Sequence, residues 1–459
     1  MALIDPDDKR PIHFVGIAGA GMSALAELFL RRGVPITGCD ANPSGAEDLR
    51  RLGVDVTTHD ISHVDGARAL VITSAMPRDH PELVRARELG LPVIRRAEAL
   101  GEATVGRELI AIAGTHGKTT TTVMATAALA AAGRDPTALA GGRVSLWGGN
   151  LHQGSDRLYI VEADEYDRSF LALTPTVAVV NNIEADHLDI YADLADINRT
   201  FAQFARGART IVLCADDAGA NSMPTPSTTE VIRFGISSPD ARVLAKDLAL
   251  TPEGSTFRVV FDDEDLGAVE LKIPGRHNVL NALAAISSGL AIGASVPDMA
   301  KGLATYMGVE RRFQKLGEAR GVAIVDDYAH NPAKVQAALA TARVAFPGRR
   351  IVAAFQPHLY SRTRDFAREF GVSLATADVV YLTEIYPSRE TAMEGVTSDL
   401  VVDALKHAGG KLAWRGERDA LADALARDVR EGDVVVTIGA GDITKTGPEL
   451  LKKLSNADS

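Results

Sequence analysis

The sequence predicts an α/β protein built from three successive wound units, the middle one carrying antiparallel hairpins. Three observations predict it. Short Val- and Ile-rich runs recur along the chain with Ala- and Leu-rich helical stretches between them, the alternation that builds sheets covered by helices. Two of those runs feed straight into glycine turns that open helices. At 459 residues, the chain is also too long for one ordinary domain.

The first unit, residues 1–106, opens with an apolar run over Pro11–Ile17. Gly16-Ile17-Ala18-Gly19-Ala20-Gly21-Met22-Ser23 then makes a glycine turn into a helix reaching about Arg32, and Val34–Cys39 follows as a second strand ending at Asp40. A βαβ beginning with a glycine turn and carrying an acid after its second strand suggests a nucleotide site in a Rossmann-like domain. The glycine order is G-x-x-G-x-G, not the dinucleotide fingerprint, so a plain tight turn is the alternative. Ala69–Thr73 and Leu91–Ile94 add short strands.

The second unit, residues 107–313, starts with the strand Leu109–Ala113, a glycine loop, and a helix over Thr121–Ala132 stopped by Gly133. Leu158–Val161, Val177–Val180 and Thr210–Cys214 read as buried strands of an ATPase-type parallel sheet. From Val243 to Ile273 polar and apolar residues alternate around the turn Pro252-Glu253-Gly254 and a second turn at 263–267, which predicts antiparallel hairpins. Pro274-Gly275-Arg276-His277-Asn278 leads into a helix containing Asn281. The third unit, residues 314–459, has strands at Val322–Val325, Ile351–Phe355, Val379–Thr383 and Val434–Ile438 and reads as a Rossmann-like α/β domain.

Composition narrows the function classes. A net charge of −11 argues against nucleic-acid and anionic-membrane partners, while leaving room for an anionic small molecule held locally. Cys39 and Cys214 are the only cysteines, so no disulfide framework is expected and a reducing compartment is. The acidic N-terminus lacks a signal-peptide core and no apolar run approaches a membrane span, which predicts a cytoplasmic protein.

The glycine loop of the second unit carries the strongest chemical signal. In Ala113-Gly114-Thr115-His116-Gly117-Lys118-Thr119-Thr120, a strand feeds a helix whose N-terminal N–H groups face an anion. Gly114 and Gly117 permit close backbone approach, Lys118 supplies a point charge, and the Thr119 hydroxyl can ligate Mg²⁺. Ile112 stands where the common phosphate loop has its first glycine, so this is a shorter G-T-x-G-K-T form.

Acidic and histidine-bearing strand ends follow. Glu162-Ala163-Asp164-Glu165 ends a strand, where acids are costly to bury unless they hold a cation, and Glu162 can reach a Mg²⁺ near Thr119. His187, in Glu184-Ala185-Asp186-His187-Leu188-Asp189, is a candidate second-metal ligand or a helix cap. Asp326-Asp327-Tyr328-Ala329-His330-Asn331 and Gln356-Pro357-His358-Leu359-Tyr360-Ser361-Arg362 put ionisable groups at two strand ends of the third unit.

Taken in order, these motifs, with Gly275-Arg276-His277-Asn278 and Asn281 and with Arg311-Arg312-Phe313, resemble the Mur ligase family of ATP-dependent ligases that build the peptide stem of peptidoglycan. The Gly19–Ser23 turn, Thr73-Ser74-Ala75-Met76 and the Thr-His-Gly of the loop are similar to its alanine-adding branch. The resemblance implies a Mur-type three-domain architecture and the substrates ATP, UDP-N-acetylmuramate and L-alanine. It also implies two Mg²⁺ ions, with Mn²⁺ as a substitute, and a monomer or homodimer.

By the same resemblance Gly114 to Thr120, Arg312 and Asp326 would hold ATP, with Asn278 and Asn281 against adenine. Thr119, Glu162 and His187 would ligate metal. Gly19, Gly21, Met22, Ser23, Asp40 and Ser74 would contact the UDP substrate, and Tyr328, His330, His358 and Arg362 the amino acid. Lys118, Glu162, His187, Arg312 and His330 would form the catalytic set, with His330 as the candidate base.

Three departures bear on the amino acid. Asn331 replaces a frequent second histidine, Leu359 replaces a frequent arginine, and no lysine lies between His187 and Phe204 to be carbamylated as in sister ligases. A ligase that recycles wall tripeptide, a dinucleotide-dependent oxidoreductase and a nucleotide-binding regulator are the competing readings.

Overall fold

The computed structural model describes residues 3–5, 7–73, 76–187, 190–388 and 390–456. They form three sheets in two compact units. The first unit comprises Met1–Ala249, Thr256–Leu271 and Asn278–Tyr306; the second comprises Leu250–Ser255, Lys272–His277 and Met307–Ser459.

The N-terminal sheet contains β1 (Ile12–Val15), β2 (Ile36–Cys39), β3 (Asp55–Thr57), β4 (Ala69–Ile72) and β5 (Val93–Arg95), in the spatial order β3-β2-β1-β4-β5 and parallel throughout. The order reverses at β1, so the crevice outside its carboxyl end is where ligands of such sheets bind. Fully buried Arg68 donates to the backbone carbonyls of Leu3 and Asp5, pinning the N-terminal segment.

The central sheet contains β6 (Glu108–Ala113), β7 (Thr137–Val144), β8 (Gly149–His152), β9 (Leu158–Glu162), β10 (Val177–Val180), β11 (Thr210–Cys214), β12 (Glu230–Gly235), β13 (Val243–Leu250), β14 (Ser255–Phe261) and β15 (Glu264–Leu271). Its order is β15-β14-β13-β12-β11-β10-β6-β9-β7-β8. Parallel pairing runs from β7 through β9, β6, β10, β11 and β12 to β13. The sheet is nevertheless mixed. The expected hairpins lie at one edge, and at the other β8 pairs antiparallel with β7, an addition the sequence conceals because Gly141-Gly142-Arg143 breaks the apolar run and shifts the register.

The C-terminal sheet contains β16 (Gln314–Ala319), β17 (Val322–Asp327), β18 (Arg350–Phe355), β19 (Val379–Thr383), β20 (Leu412–Gly416) and β21 (Asp433–Ile438) in the order β16-β17-β21-β18-β19-β20. Only β16 runs antiparallel to its neighbour. Apolar residues on both faces of the inner strands build separate cores, one around Val325, Phe355 and Val436 and one around Ile324, Val352 and Val435. That two-sided burial is why these strands read as unbroken apolar runs. No helix among the described residues is long and apolar enough to cross a membrane.

Candidate active site

Three adjacent parallel strands, β9, β6 and β10, deliver their carboxyl ends to one place in the first unit. From β6 the chain enters the glycine loop with Gly114 at φ +140° and Gly117 at φ +79°, conformations that a Cβ would strain. The helix Lys118–Ala131 follows with Gly117 as its cap and no side-chain capping bond, so its first N–H groups remain free for an anion. Behind the loop, Asn181 Nδ2 donates to Thr121 Oγ1 at 3.0 Å and Thr121 Oγ1 donates to Asn281 Oδ1 at 3.2 Å. A Cβ on Gly117 would lie 2.4 Å from that same Asn281 oxygen.

The outer side of the loop is bound to the end of β10. His116 N–H donates to Asn182 Oδ1 at 2.6 Å, Glu184 N–H donates to Thr115 Oγ1 at 3.0 Å, and His116 Nε2 lies 2.9 Å from Glu184 Oε2. Thr120, at the start of the helix, is largely buried.

Charge is concentrated at the loop's mouth. Lys118 Nζ donates to Gly114 O at 2.7 Å and to both oxygens of Glu165 at 2.9 and 2.7 Å. Burial by itself would raise the Glu165 carboxyl and lower the Lys118 ammonium. Their mutual attraction outweighs it: Glu165 is held down at about 2, and Lys118 is raised with further help from Asp164 and Glu162. Thr119 Oγ1 donates to Glu162 Oε2 at 2.9 Å, and the Gly141 N–H donates to the same oxygen at 2.7 Å. A hydroxyl and a carboxylate side by side are hard oxygen donors of the kind Mg²⁺ takes. His187, at φ +55°, sets its Nε2 3.7 Å from Glu165 Oε1 and its ring edge-on to Tyr166.

At the glycine turn of the first sheet, the Gly16 and Ile17 N–H groups donate to Cys39 O at 2.8 and 3.1 Å. The Asp40 carboxylate accepts the Ala18 and Asn42 N–H groups at 3.0 and 2.9 Å. Gly19 caps the helix Ala20–Arg31 without a side-chain bond, and Ser23 Oγ donates to Ala20 O at 3.0 Å. Met22 is buried among the core residues. Ser74 lies outside the described residues.

In the second unit, the carboxyl ends of β17, β18 and β19 gather an aromatic and cationic set. His330 stands edge-on to Tyr328 at 5.1 Å and 6.2 Å from His358, which stacks on Tyr386 at 5.8 Å. Arg362 Nη1 comes within 3.5 Å of His358 Nδ1. Burial, helped by Lys334 and Arg362, holds His330 well below the usual imidazole range. The Arg312 guanidinium lies over the Tyr328 ring at 5.3 Å.

Asp326 is 1 % exposed, with Thr437 and Thr444 hydroxyls donating to its two oxygens at 2.5 and 2.9 Å and Arg311 Nε at 3.4 Å. The departures also find physical reasons. Asn331 caps the helix Pro332–Ala345 by accepting the Lys334 N–H at 2.9 Å, and Leu359 is buried.

Three family models match in tandem: "Mur ligase family, catalytic domain" over residues 11–107, "Mur ligase middle domain" over 112–289, and "Mur ligase, glutamate ligase domain" over 311–441. The chain belongs to the Mur ligase family. Among its relatives in that family, UDP-N-acetylmuramate–L-alanine ligase of Acidothermus cellulolyticus is 44% identical, covering 96% of this chain and 94% of that one. The enzyme of the same name from Cutibacterium acnes is 42% identical over 98% and 97%. The crystal structure of UDP-N-acetylmuramate–alanine ligase from Thermotoga maritima has a TM-score of 0.83 at 28% identity over 97% and 99% of the two chains. A murein peptide ligase from Psychrobacter arcticus scores 0.73 at 26% identity, covering 97% and 98%.

Two residues that the fold brings to these sites were not singled out from the sequence. Glu165 was visible within Glu162-Ala163-Asp164-Glu165, but its pairing with Lys118 needs the fold. Arg96 gave no local signal, yet its Nη1 lies 3.1 Å from where a Cβ on Gly21 would stand and its Nη2 is 3.9 Å from Asp164.

Proposed function

We propose that this protein is the ATP-dependent ligase that joins L-alanine to the lactyl carboxylate of UDP-N-acetylmuramate in peptidoglycan precursor synthesis. The observation that carries the reading is the phosphate loop, with Lys118 and the Thr119–Glu162 pair at adjoining strand ends, in a chain more than 40% identical over nearly its whole length to alanine-adding ligases. On this reading residues 1–106 hold the UDP portion, 107–313 hold ATP and 314–459 hold the amino acid.

A carboxylate is a poor electrophile, so ATP must first phosphorylate it to an acyl phosphate, releasing ADP. The alanine amine then attacks the acyl carbon, phosphate leaves, and the amide forms. Because an anion attacks an anion in the first step, positioning and charge neutralisation dominate. Lys118 leaves Glu165 for the phosphates, the N–H groups of the helix start cradle them, and Arg312 adds a second cation. Arg96 and the Gly16–Ser23 turn hold the UDP diphosphate.

Thr119 and Glu162 fit one Mg²⁺, and His187 with Glu165 fits a second. Such ions supply charge that screens carboxylate from phosphate. Asn281, bonded into the back of the loop, is assigned to hold Gly117 in place, leaving Asn278 for adenine. Arg362 takes the alanine carboxylate, and neutral His330 accepts the amine's proton.

The test is phosphate release from ATP with UDP-N-acetylmuramate and each of L-alanine, L-serine, glycine and wall tripeptide, with product mass measured. Release requiring both the UDP-sugar and L-alanine is expected. Release only with tripeptide would replace the reading with the recycling ligase.

A further inference from the structure

The N-terminal sheet gathers a second set of metal-ligand side chains that the ligase chemistry does not use. Cys39 ends β2, and around its sulfur stand His13 of β1, His59, His63 of the turn Ile61–Val64 and Glu82 of the helix Pro81–Glu88. His13, Cys39 and Glu82 are each no more than 1 % exposed. His13 Nε2 lies 3.4 Å from Cys39 Sγ and 3.8 Å from Glu82 Oε2, and the sulfur lies 3.1 Å from Glu82 Oε2. His63 Nδ1 lies 3.8 Å from Glu82 Oε1. One donor atom from each of His13, Cys39, His63 and Glu82 falls within 4.8 Å of the other three. A tetrahedral ion with bonds of about 2.0 to 2.3 Å needs donor–donor edges of roughly 3.3 to 3.8 Å, so the set is nearly closed around a centre.

Both imidazoles are also aimed. His13 Nδ1 is bonded to Thr37 Oγ1 at 2.9 Å and His63 Nε2 to Thr57 Oγ1 at 3.2 Å, which leaves His13 Nε2 and His63 Nδ1 facing the cluster. His63 Nδ1 is buried and meets no hydrogen-bond partner. A ring nitrogen fixed by a neighbour while the other points at a shared centre is the arrangement found behind metal ligands.

We propose that His13, Cys39, His63 and Glu82 bind one Zn²⁺, forming a structural site distinct from the ATP-linked metals. The donors are two nitrogens, one sulfur and one carboxylate oxygen, a set suited to zinc and foreign to Mg²⁺ or Ca²⁺. Thiolate and carboxylate together neutralise a divalent ion, which removes the cost of burying Glu82 as an anion. Binding displaces the Cys39 thiol proton to solvent, so affinity falls as pH is lowered. Four protein ligands leave no open position, which assigns the ion to structure.

The site would tie together two strands of the sheet, the turn Ile61–Val64 and the helix Pro81–Glu88. One of its ligands, Cys39, also holds the Gly16 and Ile17 N–H groups through its carbonyl and precedes Asp40, so the ion would fix the frame of the nucleotide turn. His59, with Nδ1 3.1 Å from the sulfur, would donate to the thiolate from outside the coordination shell.

The experiment uses the full chain, stripped with a chelator and titrated with Co²⁺ and then Zn²⁺ in excess Mg²⁺. One equivalent of Co²⁺ should give a near-ultraviolet thiolate-to-cobalt band and tetrahedral visible bands that Zn²⁺ abolishes. Cys39→Ser should remove the thiolate band, and Cys214→Ala should keep it. His63→Asn, on a partly exposed turn, should weaken Co²⁺ binding at least about tenfold, and decides the matter if Cys39→Ser does not fold. Absence of the band at one equivalent, its survival in Cys39→Ser, or unchanged affinity in His63→Asn would overturn the site in favour of a metal-free hydrogen-bonded cluster.

Discussion

At the scale of single residues, the Lys118–Glu165 pair sets the energetics of the phosphate loop. Lys118→Ala removes a charge-assisted phosphate contact from an enclosed site and should cost on the order of 3 kcal/mol or more of transition-state stabilisation. That is at least about a hundredfold in kcat/KM, and a loss below tenfold in the phosphate-release assay would remove Lys118 from the mechanism. Glu165→Gln takes the ion-pair partner from the largely buried Lys118 ammonium, which keeps its bond to Gly114 O, with a stability loss on the order of 3 kcal/mol at neutral pH, measured by urea unfolding. The pH dependence has a fixed sign. Because the folded carboxyl sits near 2 rather than 4.5, its contribution is complete above about pH 4.5 and is lost as pH falls toward 2. The variant should therefore lose less stability than the parent between pH 5 and pH 3.

At the scale of elements, function depends on loops held rigid from behind. Gly117→Ala forces a Cβ to within 2.4 Å of the Asn281 oxygen at a φ of +79°. Both the strain and the clash should lower stability by about 1 kcal/mol or more and raise the ATP KM, read by thermal unfolding and by titration of ATP. Arg96 opens the helix Arg96–Thr104 and lies against the glycine turn. Arg96→Ala should raise the KM for UDP-N-acetylmuramate about tenfold with little change in melting temperature, as expected for a lost ion contact to a diphosphate. An unchanged KM would assign Arg96 to packing.

At the scale of the whole molecule, the pH profile of turnover tests the proposed role of His330 as the base. His330 is neutral through the physiological range because burial and nearby cations depress its protonation. An imidazole lowered in the folded state stays unprotonated while the unfolded chain takes up a proton. Stability tied to His330 is therefore unaffected above about pH 6.5 and declines below it. The acid limb of kcat should accordingly lie below pH 6.5 and should change shape in His330→Asn. An acid limb at or above 6.5 that persists in the variant would place the base elsewhere.

Local chemistry was legible in the chain. The glycine loop, the acidic end of β9, the strands Val177–Val180 and Thr210–Cys214, and the three-part order of motifs follow from residue type and short-range spacing, where backbone conformation and periodicity are decided. What the fold alone decided are relations between residues distant in sequence. Lys118 meets Glu165, Arg96 reaches Gly21, Asn281 backs Gly117, Asp326 accepts from Thr437 and Thr444, and His13, Cys39, His63 and Glu82 share one centre. The physical reason is that a strand or glycine turn is selected by its own neighbours. A buried charge is decided by whichever partner the sheet order brings within bonding distance, and no local pattern encodes that order.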